Sequence, residues 1–170
     1  MKKCLFILVL SLILSITLGW NAIAQIPKEG KLDLTNTYAG TQKFFPIDKE
    51  HFVIYFENSG VVVSDSGGGP FHKAASHNVG VMYFEKGIIK LTSFFSITDK
   101  DGDKVLWEFT EIEGKPSPPY PTNGTGKIIW GTGKFAGIQG SMEYTRQNLR
   151  PATDGTHQAI AIAKGSWKLP

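Results

Sequence analysis

From Leu32 onward, apolar and polar positions alternate with a period of two between clusters of Gly, Asn, Asp, Ser and Pro. That is the pattern of half-buried strands, and almost no stretch sustains the 3.6-residue period of a helix. The alternation predicts a first strand over 33–44 and a second over 51–57, turned by Asn58-Ser59-Gly60 into a third over 61–65. A glycine loop at 66–70 precedes a strand over 79–85, and Lys86-Gly87 turns it tightly. Ile89, Leu91, Phe95 and Ile97 then share one face, with Lys90, Thr92, Ser96 and Thr98 on the other. Asp101-Gly102 signals a hairpin into a strand with Val105, Trp107 and Phe109 on one side. Prolines over 116–121 cannot donate to a ladder and mark a surface connection. The final strand runs from about His157 to Trp167, with Ala159, Ala161, Ala163 and Gly165 on one face.

Eight or nine strands with mostly short connections predict an up-and-down antiparallel sheet. An open sheet of that length exposes two edges, and closing it removes both. The expected fold is therefore all-β: a closed antiparallel β-barrel of about eight strands, whose interior side chains either fill it or surround one small ligand.

The stretch 124–146, GTGKIIWGTGKFAGIQGSMEYTR, has glycines at 124, 126, 131, 133, 137 and 140 between short apolar runs. It reads as strand, glycine turn, short crossing, strand. Its GTGKFAGIQG core resembles the GG-[ST]-G-x-F-x-G-x-x-G signature of allene-oxide-cyclase-like and dirigent-like β-barrels and of small bacterial proteins akin to them. The resemblance, specific over about 122–144, implies the same calycin-like closed barrel. It also implies two activities to weigh: ring closure of an apolar substrate without a cofactor, and a structural or partner-steering role in a homo-oligomer.

The N-terminus changes the compartment. Lys2 and Lys3 precede an apolar run over 5–18, and Ala22-Ile23-Ala24 offers a small-x-small cleavage site. These are the parts of a secretory signal peptide over 1–24, and the run is short for a spanning helix. The expectation is an exported chain, periplasmic or secreted, with a single domain over 25–170 and no stable membrane insertion after cleavage. The one cysteine, Cys4, would leave with the leader, so the barrel must stand on its core without disulfides. Losing Lys2 and Lys3 lowers the formal charge from +3 to +1, too little for a nucleic-acid partner.

Several motifs carry less than they suggest. Gly131-Thr-Gly-Lys-Phe-Ala136 fits G-x-G-x-x-A, but Gly137 and Gly140 would break the helix a dinucleotide site requires, and Phe135 stands where a phosphate loop needs Ser or Thr. Asp99-Lys-Asp-Gly-Asp103 places three carboxylates together without the closing Glu of a calcium loop. His72 and His77 lack the companions of a zinc set, and no G-x-S-x-G elbow is present. Asn123-Gly-Thr125 is a glycosylation sequon only in a host that glycosylates. No cofactor, metal site or catalytic residue is assigned.

The barrel interior remains. With the richer apolar faces inward, Phe52, Ile54, Ile89, Leu91, Phe95, Trp107, Phe109, Met142 and Trp167 line it. The same parity brings Glu111, Tyr144, Arg146 and His157 to the inner face near strand ends. Trp107, Glu111, Tyr144, Arg146 and His157 are thus the candidate ligand-binding residues of an exported, non-enzymatic barrel for a small apolar or amphipathic molecule. A fatty acid is the example expected, its carboxylate meeting Arg146.

Overall fold

The computed structural model describes residues 26–112, 121–152 and 154–170. Residues 1–24, the expected leader, and most of the proline-rich connection lie outside the described residues. Eight strands follow in order: β1 (Glu29–Pro46), β2 (His51–Ser64), β3 (Ala74–Glu85), β4 (Ile88–Thr98), β5 (Lys104–Ile112), β6 (Thr122–Gly131), β7 (Gln139–Leu149) and β8 (Thr156–Lys168). Each pairs antiparallel with its sequence neighbour, and β8 returns to β1, so the sheet closes into a barrel. Among the described residues the one helical turn is the 3₁₀ segment Gly133–Phe135 between β6 and β7.

Period-2 patterning decides which face goes inward. In β4 the residues Ile89, Leu91, Ser93, Phe95 and Ile97 are buried while their immediate neighbours are exposed or half-buried. The two-residue turn at Lys86-Gly87 has positive φ at both positions, 48° and 86°, as a hairpin matched to strand twist requires. At the bottom of the barrel, where β1 begins and β8 ends, the β2–β3 connection folds Phe71 inward. Its ring stacks on Phe135 at 5.4 Å and meets Trp167 edge-on at 6.0 Å. With Ile97, Val105, Trp107 and Ile138 these rings form a continuous apolar plug. At the top, Phe56, Met82, Ile89 and Leu91 form a second cluster, with Ile54 and Phe84 against it.

Two boundaries differ from the sequence expectation. Asn58-Ser59-Gly60 is not a turn: β2 runs unbroken through it, with Asn58 opposite Gly40 and Gly60 opposite Tyr38. Gly60 serves close approach here, because a Cβ at that position would lie 2.1 Å from the Thr37 carbonyl oxygen of β1. The strand expected over 79–85 begins earlier, at Ala74, and Ala74 and Ser76 both point into the barrel.

Candidate functional site

Above the plug the barrel is not filled. A cavity of about 60 Å³ lies among the upper strands. That exceeds what a single ordered water needs. Its apolar wall comes from Leu34, Phe56, Val62, Met82, Leu91, Phe95, Phe109, Met142, Ala161 and Ala163. Its polar groups are Asn36, Tyr38, Asn58, Asn78, Ser93, Glu111, Tyr144, Arg146 and His157.

Strand register explains how the polar groups meet. Glu111 of β5 lies opposite Gly124 of β6, which lies opposite Tyr144 of β7. A Cβ on Gly124 would sit 2.6 Å from the Tyr144 ring, so the glycine is the seat on which that ring lies. The seated tyrosine donates its hydroxyl to Glu111 Oε1 at 3.1 Å, and Thr122 Oγ1 donates to the same oxygen at 3.1 Å. Arg146 stands opposite Thr122 and donates from Nε to Glu111 Oε1 and from Nη2 to Oε2, both at 2.8 Å. Bidentate, charge-assisted pairing of this kind is among the strong hydrogen-bonded contacts in proteins.

Electrostatics follow from burial. Desolvation alone would pull the Arg146 guanidinium down, but the bonds and charge of Glu111 more than offset it, and its pKa is raised. Burial pushes the Tyr144 phenol up, and Glu111 beside it adds to the rise. Tyr38, whose hydroxyl makes no hydrogen bond to any described residue, is pushed up to about 12 by burial, partly opposed by Arg146. His157 goes the other way, to about 4, because burial and the Arg146 charge both disfavour the imidazolium. At neutral pH the cavity therefore presents neutral phenols, a neutral imidazole and one internally balanced ion pair.

Four of the five residues expected to bind ligand, namely Glu111, Tyr144, Arg146 and His157, line this cavity together. Trp107 does not. It faces inward as its parity requires, but it is fully buried one level below, stacked at 6.3 Å from Phe109, which forms the cavity floor above it. The Arg146 fork expected to receive a ligand carboxylate is already occupied by Glu111. Asn36, Tyr38, Asn58 and Asn78 were not singled out from the sequence. For Asn58 a signal existed, since the inward parity of Ile54 and Phe56 continues to it once the strand is not broken at Gly60.

The other motifs resolve structurally. In the Asp99–Asp103 loop, the Lys134 ammonium sits among the carboxylates of Asp99, Asp101 and Asp103. Hydrogen bonds from Lys100 and Lys134 hold the Asp101 carboxyl down at about 2. The loop thus contains a tethered cation of its own. His72 accepts the Ser64 backbone N–H at 3.2 Å, whereas His77 pairs with Glu57 at 2.9 Å on the outer wall. Asn123 accepts a hydrogen bond from Thr145 at 2.8 Å on the exposed side of β6.

No family model matches the chain, and no curated protein matches it either. Among solved structures it is similar in fold to a dirigent protein. The pterocarpan synthase dirigent protein GePTS1 superimposes with a TM-score of 0.51 over 85% of this chain and 94% of the other, at 11% identity. At that identity the likeness concerns the barrel fold alone.

Proposed function

We propose that this chain is an exported, non-enzymatic barrel that holds one small apolar or amphipathic molecule in its upper cavity. The observation that carries the reading is the cavity itself: mostly apolar walls, with polar side chains from β1, β2, β3, β4, β5, β7 and β8 converging on one space. A barrel with a purely structural task would be expected to pack that space solid. Export rests on the leader pattern of Lys2-Lys3, the apolar run and Ala22-Ile-Ala24.

A second reading follows from the fold likeness to a dirigent protein: a barrel that steers or accompanies another protein's product. A third, cofactor-free cyclisation in the manner of allene-oxide-cyclase-like barrels, draws on the glycine-segment resemblance and on the neutral Tyr38 hydroxyl standing free in the cavity.

Equilibrium titration with the neutral fluorophore N-phenyl-naphthylamine tests the leading reading. Saturable one-site binding is expected in the native protein. It should be lost in Ala161→Phe, which fills the cavity from β8. Absence of binding, or equal binding by the filled variant, removes the ligand and leaves the structural reading.

A further inference from the structure

Three polar atoms on cavity-lining side chains are buried without a hydrogen-bond partner: Asn58 Oδ1, Asn78 Oδ1 and His157 Nδ1. They are not scattered. His157 of β8 stands opposite Gly40 of β1, Gly40 opposite Asn58 of β2, and Asn58 opposite Asn78 of β3. They form one cross-strand row with a side chain missing at Gly40. The Asn58 carboxamide leans over that gap, its oxygen 2.4 Å from where a Gly40 Cβ would be.

The protonation state of His157 is fixed by its neighbours. Arg146 Nη1 donates to Asn148 Oδ1, and because a guanidinium only donates, that atom is the amide oxygen. His157 Nε2 lies 3.1 Å from the same oxygen and must also donate to it. Nε2 therefore bears the proton, and Nδ1 of this cavity-lining side chain keeps a bare, unpaired lone pair. Burial and the Arg146 charge keep the ring in this neutral form.

We propose that the cavity selects a neutral, hydroxyl-bearing amphipathic molecule whose O–H donates to His157 Nδ1 within the His157–Asn58–Asn78 row. This deepens the ligand-binding reading above and rests on it. Leaving an acceptor buried and unpaired costs free energy, and a ligand donor recovers it. The ligand oxygen has lone pairs as well, and the free hydroxyl of Tyr38, whose ring lies 6.1 Å from that of His157, can donate to it. A carboxylate meets the opposite situation. It only accepts, so it cannot satisfy the three unpaired acceptors, and it adds a second negative charge beside Glu111, whose charge Arg146 already balances. An ammonium donates, but it would bring a second cation to Arg146.

Calorimetric titration with one chain length and four heads tests this: n-decanol, decyl methyl ether, decanoate and decylammonium. Decanol should bind roughly ten- to a hundred-fold more tightly than the ether, the range expected for one buried acceptor left unpaired. Decanoate and decylammonium should bind more weakly than decanol. His157→Phe keeps the ring and removes the acceptor, and it should bring the alcohol-to-ether ratio close to one. A ¹⁵N spectrum of the unsubstituted protein gives a readout independent of any variant: His157 should carry its proton on Nε2, and its Nδ1 resonance should move on adding decanol. An ether or decanoate binding as tightly as decanol, or an Nδ1 that is protonated or unresponsive, overturns the hydroxyl assignment while leaving a ligand-binding barrel. If no member of the series binds, both the assignment and the reading beneath it fail.

Discussion

Arg146 and Glu111 face one another inside the barrel with two parallel N–H···O bonds of 2.8 Å, and both side chains are at least nine-tenths buried. Neither charge is compensated by solvent, so each depends on the other. Glu111→Gln leaves a guanidinium buried without its counter-charge and should destabilise the fold by roughly 3–5 kcal/mol in urea denaturation. The double variant Glu111→Leu/Arg146→Met removes both charges and should cost less than the single one. A single-variant loss below about 1 kcal/mol would mean that the pair is solvated.

His157 makes stability depend on pH. Its folded pKa, about 4, lies below the ordinary value of 6.5, so between those values the unfolded chain binds the extra proton. Stability should be level above pH 6.5 and fall as pH drops toward 4, by roughly 3 kcal/mol in all. Denaturation midpoints of native and His157→Phe proteins across that range provide the check, with the slope shallower in the variant. Parallel slopes would contradict the assignment.

Gly133 has φ of 50°, and a Cβ there would lie 1.8 Å from the Asp103 carboxylate. Gly137 has φ of 75° and faces the Pro170 ring. Gly133→Val should cost roughly 1–3 kcal/mol from backbone strain alone, and more where Asp103 cannot move aside. Thermal melts of Gly133→Val and Gly137→Val, beside alanine variants, measure it. Unchanged midpoints in both would mean that the positive φ is not required.

Lys134 holds together a loop that would otherwise set three carboxylates against one another. Lys134→Met should lower the melting temperature at neutral pH. The deficit should shrink as the solution is acidified toward the carboxylate range, since protonation removes the same repulsion. A deficit independent of pH would assign the loss to packing of the lysine stem.

The barrel and half of the site were legible in the sequence because a strand's side chains alternate, and parity alone turns Glu111, Tyr144, Arg146 and His157 inward. Parity says nothing of depth along the barrel axis. That is why Trp107, inward by the same count, lies beneath Phe109 rather than against the cavity. Nor does it reveal which inward charges meet: Glu111 and Arg146 are 35 positions apart and become neighbours only when β5, β6 and β7 take their register. Asn58 was hidden by its own chemistry, since Asn-Ser-Gly is a turn signal that the close β1–β2 crossing overrides.

The two methionines of the barrel, Met82 on β3 and Met142 on β7, both line the cavity, and the third, Met1, falls in the expected leader. Methionine-methyl ¹³C NMR of the chain beginning at Gln25 therefore reports on that space from two walls. Trp107 cannot do so from below. Titration with n-decanol should move both methyl signals together, saturably and to one end point. If neither signal moves while the barrel stays folded, no molecule of this kind enters the cavity, and the ligand-binding account is wrong.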